Sequence, residues 1–189
     1  MEKARMLTSG TCYLHVVDVQ ESLMRQVHAA GQVAAITKLM LNFARIMNIP
    51  VIANTQYKKG LGVYVPEVEE LMADIPRPDK VEFNALANEE TTALVDRLPA
   101  SVCNVILVGV ETHICIYQSA MGALRRGLQP WIVSDGVASR KKEHHEAGLA
   151  RLIAVGADVG PAEMLIYEIL GRAGTAQFKQ VLPLILAQG

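Results

Sequence analysis

No apolar run in this sequence reaches the roughly 20 residues that a helix needs to cross a bilayer, so a membrane span is not expected. An excess of positive charge is also missing. Eighteen Lys and Arg stand against 19 Asp and Glu, a net charge of −1, which argues against a protein held to nucleic acid by phosphate contacts. Cysteine is scarce and odd in number, at three residues. The opening MEKARMLTSG has no apolar signal core. Free thiols in a reducing compartment, the cytoplasm by default, are therefore the expectation. Internal repeats, low-complexity tracts and linkers are absent too, so residues 1–189 read as a single domain. What is present is a large apolar fraction, 51%, enough for a substantial core.

That apolar content is arranged as strand, then helix, many times over. CYLHVVD (12–18), VIANTQY (51–57), NVILVGV (104–110), PWIVSD (130–135) and the short ADVG (157–160) read as strands, with DKVEF (79–83) as a short extended piece. Helices are expected over 31–48, 90–98, 112–127, 141–156 and 161–171. A short helix is expected to end near Leu71, after a glycine-rich loop at 58–67. A final helix near 175–187 contains Pro183, which is expected to kink or break it. The alternation implies an α/β fold with a parallel sheet covered on both faces. Ligands of such sheets bind at the carboxyl ends of the strands.

Three reactive side chains fall at those ends. Asp18 closes the first strand, Lys80 sits in DKVEF, and Cys115 lies just past the Gly109 turn in GVETHICI (109–116). Together they suit acyl transfer. A thiol at a helix start beside an ammonium is expected to have a lowered pKa and to attack a carbonyl carbon. Asp18 shuttles the proton, Lys80 holds the anionic partners, and the free N–H groups of Ile114 and Cys115 form an oxyanion hole. Each residue also has a plain alternative: Asp18 as a helix cap, Lys80 as a solvated lysine, Cys115 as a core thiol. Cys12 and Cys103 read as packing residues, His15 as a satisfied core histidine, and His144 and His145 as members of an exposed helix face. His113 and Cys115 are two apart and do not face each other on a helix. No histidine pair has metal-ligand spacing with a third ligand near, so no metal and no cofactor is expected. GLG at 60–62 is too short for a phosphate loop.

VVDVQ (16–20), KVEF (80–83) and GVETHIC (109–115) resemble, in order and separation, the three signatures of the isochorismatase-like cysteine hydrolase superfamily. TQYKKGLGVYVPEVEEL (55–71) and the C-terminal EMLIYEILG (163–171) look closest to its isochorismatase domain-containing subgroup. The resemblance implies a three-layer α/β/α fold with a six-stranded parallel sheet in Rossmann-like order. It also implies a triad of Asp18, Lys80 and Cys115, a cis peptide between Val110 and Glu111 that orients the oxyanion amides, and a homo-oligomer. Nicotinamidases of this superfamily bind metal through an Asp-x-His motif after the second strand. ANTQY (53–57) stands there instead, with neither acid nor His. True isochorismatases lack the nucleophilic cysteine, so Cys115 implies hydrolysis of C–N bonds in a small-molecule amide, imide or carbamoyl compound. Gln20, Gln56, Tyr57, Phe83 and Thr112 are the expected substrate contacts. The other reading is a non-catalytic interaction or regulatory protein that kept the fold and its site.

Overall fold

The computed structural model describes residues 6–188. Their order is β1 (Cys12–Val17), α1 (Glu21–Met24), α2 (Ala30–Met47), β2 (Val51–Gln56), α3 (Lys58–Leu61), α4 (Pro66–Glu69), β3 (Asp79–Lys80) and α5 (Glu89–Val95). Then follow β4 (Asn104–Val110), α6 (Tyr117–Arg125), β5 (Gln129–Ala138), α7 (Lys142–Ala154), β6 (Asp158–Gly160), α8 (Ala162–Leu170) and α9 (Ala176–Leu186). The six strands form one sheet in the order β3-β2-β1-β4-β5-β6, and every ladder is parallel. This is the doubly wound order, which reverses direction between β1 and β4.

The central strands are buried on both faces, and alternate residues feed two separate cores. Leu14, Val16, Ile106, Val108, Trp131 and Val133 pack under α2, α8 and α9. Tyr13, Val17, Val105, Leu107 and Ile132 pack under α5, α6 and α7. Three layers result, as the sequence implies. Among the described residues, no helix is long and apolar enough to cross a membrane.

Three elements depart from expectation. The loop expected at 58–67 contains the single turn α3. The first strand after α6 runs three residues further than PWIVSD, to Ala138, past a register irregularity between Leu107 and Gly109. Pro183 neither breaks nor ends α9, which continues to Leu186. Its side chain is exposed, so the ring meets solvent rather than the core. Val181 is the buried anchor by which α9 seats on the core beside α2.

Candidate active site

The switch point between β1 and β4 brings the three residues of interest to one place. Asp18 follows β1 with φ 57°, a left-handed conformation that Asp tolerates better than most residues. Its carbonyl accepts from Gln20 N–H at 2.7 Å, which turns the chain sharply and aims the side chain inward. Asp18 caps no helix. Oδ2 accepts from Lys80 Nζ at 2.8 Å, with both side chains fully buried. Lys80 is held from the other side by Gln56 Oε1 at 2.5 Å. The second oxygen, Asp18 Oδ1, is buried with no hydrogen-bond partner. The Cys115 thiol lies beside this carboxylate, near enough for each to move the other's proton affinity.

Gly109 makes this approach feasible. Its φ is 121°, and a Cβ there would stand 1.9 Å from the Val17 carbonyl oxygen. β4 thus runs flush against the end of β1. The Val110–Glu111 peptide bond is cis. Residues Thr112–Ile116 then form a π turn before α6 begins at Tyr117, where the sequence pattern reads as one α-helix from 112. The Glu111 carbonyl accepts from Ile114 N–H at 3.0 Å and from Ile116 N–H at 3.2 Å, and skips the Cys115 amide between them. The N–H of Ile114 is therefore occupied, contrary to the sequence expectation, whereas that of Cys115 makes no bond to Glu111. π turns are frequent at functional sites.

The thiol is not lowered. Burial raises the Cys115 pKa above the usual thiol range, the Asp18 carboxylate raises it further, and the Lys80 ammonium opposes both. Desolvation exceeds the help that the ammonium supplies. The same burial raises Asp18, with Lys80 pulling it back. At rest the site holds a protonated thiol beside a carboxylate made more basic by its surroundings.

The remaining expected residues divide. Gln20 is fully buried and serves the backbone: Nε2 donates to the carbonyls of Gln56 and Gly62, and Oε1 accepts from Gln56 N–H. It is a brace rather than a substrate contact. Gln56 is spent on Lys80 and, through Nε2, on the Val81 carbonyl. Thr112 is buried, with Oγ1 2.9 Å from His145 Nδ1. Tyr57 and Phe83 are about half exposed and remain open to a ligand. Cys12 is core, but Cys103 is exposed rather than packed.

Sequence reasoning missed the shell around the thiol turn. His113 Nδ1 lies 2.9 Å from Ser139 Oγ, and the Ser139 carbonyl accepts from His28 Nδ1 at 2.7 Å. Arg140 donates through its backbone N–H and its guanidinium to the buried Glu111 carboxylate. His145 is half-buried rather than exposed, because Gly148 lets α7 close on the turn: a Cβ there would lie 3.1 Å from His113 N. The run SRKKEHHEAG (139–148) carries all of these residues except His28, Glu111 and His113. Its period was legible, but the tertiary closure that turns the histidine inward was not. Among the described residues, no group of three or more His, Cys, Asp and Glu could hold a metal ion.

Comparison with known proteins gives this geometry its context. The family model described as the isochorismatase domain matches residues 12–164. The chain is 34% identical over 178 residues to isochorismatase domain-containing protein 2 of Bos taurus, covering 93% of this chain and 83% of that one. Isochorismatase domain-containing protein 1 of Salmo salar is 33% identical over 181 residues, which are 96% of this chain but 63% of that relative. Among solved structures, the MAR1 ribonuclease of Caenorhabditis elegans superposes with a TM-score of 0.89 at 31% identity, covering 96% and 93% of the two chains. The YcaC gene product of Escherichia coli, described as an octameric hydrolase of unknown specificity, shares the fold with a TM-score of 0.90 at 20% identity, covering 100% and 94%.

Proposed function

Because the chain belongs to the isochorismatase family, we propose that it is a cysteine hydrolase of small C–N compounds, an amide, imide or carbamoyl substrate. Cys115 is the nucleophile, Asp18 the acid–base and Lys80 the residue that orients Asp18. One observation carries this reading: the buried Asp18 carboxylate, whose Oδ1 no strong donor bonds, lies within hydrogen-bonding reach of the Cys115 thiol. A buried acceptor left to so weak a donor costs stability, and a proton-transfer role accounts for it. As Cys115 Sγ attacks the carbonyl carbon, its proton passes to Asp18 Oδ1. The oxyanion is received by the Cys115 amide N–H, which makes no bond to Glu111. Collapse expels the nitrogen, which takes the proton from Asp18 and leaves a thioester on Cys115. Water then attacks the thioester with Asp18 as base, releasing the acid and restoring the thiol. The steps draw on these protein groups and one water, whose proton passes through Asp18 to the departing Cys115 sulfur.

The test is turnover of a panel of small amides, imides and carbamoyl compounds, with the acyl-enzyme trapped by acid quench and located by mass spectrometry. Cys115→Ala and Asp18→Asn are expected to abolish turnover, and the exposed Cys103→Ala to leave it intact. An acyl adduct on any other residue sinks the mechanism.

A second reading is a non-catalytic interaction or regulatory protein. It is favoured by the 6% exposure of Cys115 and by its raised thiol. Full stability together with no adduct from any compound of the panel would support it. A nuclease reading follows from the name of the nematode relative, and the net charge of −1 gives it little to hold phosphates with. We also propose self-association, for which the E. coli octamer of the same fold and the exposed Met164, Tyr167 and Leu186 on α8 and α9 are the supports. Light scattering that stays at monomer mass across concentrations would remove it.

A further inference from the structure

β3 is two residues long, with only Thr55↔Asp79 and Gln56↔Lys80 in register. Backbone bonds hold it at few points: Tyr57 N–H donates to the Lys80 carbonyl at 2.8 Å and Thr55 N–H to the Pro78 carbonyl at 3.3 Å. Buried side-chain hydrogen bonds add to them. Asn54 Nδ2 donates to the Pro78 carbonyl at 2.9 Å and to Thr91 Oγ1 at 2.8 Å. Both amide hydrogens are thereby used, so Asn54 Oδ1 can only accept, and the group 2.7 Å away, His15 Nε2, is its donor. The tautomer follows: His15 carries its proton on Nε2, and Nδ1 is bare and without a partner. Thr91 Oγ1 in turn donates to Asn88 Oδ1 at 3.0 Å, which also accepts from Thr91 N–H at the start of α5.

A directed chain of hydrogen bonds thus runs from β1 through β2 to the residue just before β3 and on to the cap of α5. His15, Asn54 and Thr91 are each fully buried. None of them touches the thiol, and the mechanism above uses none of them.

We infer that Asn54, oriented by His15, is a positioning residue for Lys80: by holding the Pro78 carbonyl it sets where Nζ meets Asp18. The inference rests on the proposed hydrolase reading, since it gives Lys80 a task. Its reach is specific. Losing Asn54 displaces the ammonium and should act on the thiol only through Lys80.

The test follows the pH dependence of iodoacetamide alkylation at Cys115, with Cys103 in the same molecule as internal reference, read by peptide mass spectrometry. Lys80→Ala is expected to slow Cys115 at fixed pH by about tenfold, the equivalent of one pKa unit. Asn54→Ala should reproduce most of that loss in the presence of Lys80 and add nothing in the Lys80→Ala background. His15→Gln, whose amide can still donate to Asn54, should stay within about twofold of wild type, and His15→Phe should not. Should Asn54→Ala fail to fold, Thr91→Val removes one acceptor of Asn54 with little change of shape and serves in its place.

An Asn54 or Thr91 effect that persists unchanged without Lys80 overturns the inference, as does a folded variant whose profile superposes on wild type. If Lys80→Ala itself leaves Cys115 unaltered, it is the hydrolase reading that falls.

Discussion

At the scale of single residues, the three cysteines separate by environment. Cys103 is exposed, Cys12 is pushed up to about 12 by burial, and Cys115 is raised still more strongly by burial and by Asp18. Resting protein treated with limiting iodoacetamide at neutral pH is expected to label at Cys103 first, with Cys115 well behind. Labelling of Cys115 ahead of Cys103 would show that the thiol is ionised at rest. His15 makes a second prediction. Burial is the main cause that lowers its pKa, from 6.5 to about 4. A depressed histidine contributes stability that is present above pH 6.5 and lost as the pH falls toward 4, because the unfolded chain takes up the proton first. About 2 kcal/mol should go between pH 7 and pH 5. Urea titrations at both pH values should show this loss in wild type and a flatter response in His15→Gln. Singly, Asp18, Lys80 and Cys115 each read as ordinary residues; only their joint placement at strand ends suggested one crevice, and the structure does bring the three side chains together. Ile114 and Gln20 were misjudged because their parts are decided by where neighbouring carbonyls point, which no local pattern encodes.

At the scale of elements, the strands buried on both faces announce themselves. Apart from Asn104 and His15, NVILVGV and CYLHVV are apolar, since each face of them feeds a core. The π turn does not. THICI has ordinary helical composition, and its wider winding comes from the Glu111 carbonyl and from α7 pressing on Thr112 and His113. This packing carries a prediction about the Thr112–His145 bond. Burial lowers His145 first, and the nearby His28 adds to it, so the ring is neutral near pH 7. His145→Ala should cost about 1 kcal/mol of stability and lower kcat more than it raises KM, because it loosens the turn rather than a substrate contact. A change confined to KM would place His145 in the binding pocket instead. Gly109 is the stiffer constraint. A methyl group there meets the Val17 carbonyl, so Gly109→Ala is expected to cost at least about 3 kcal/mol, measured as a fall in the urea midpoint.

At the scale of the whole molecule, the fold class was readable because strand and helix alternate without interruption, whereas the strand order was implied by the family resemblance alone. The electrostatic interior was not readable. A fully buried Asp18–Lys80 pair contributes little net stability, yet removal of one partner strands the other charge. Lys80→Ala should therefore destabilise by about 3–5 kcal/mol, and the paired replacement Asp18→Leu with Lys80→Met should recover most of the loss with no turnover. A paired variant as unstable as the single one would mean that the ion pair is a true structural support.

The two ends of the sheet carry a consequence of their own. β3 offers two residues and β6 three, so the ladder stops almost as soon as it reaches either border. A border that brief gives an incoming extended chain nothing to zip against. Strand addition at either border is thereby disfavoured, which sets this sheet apart from those whose long open edges template fibrils.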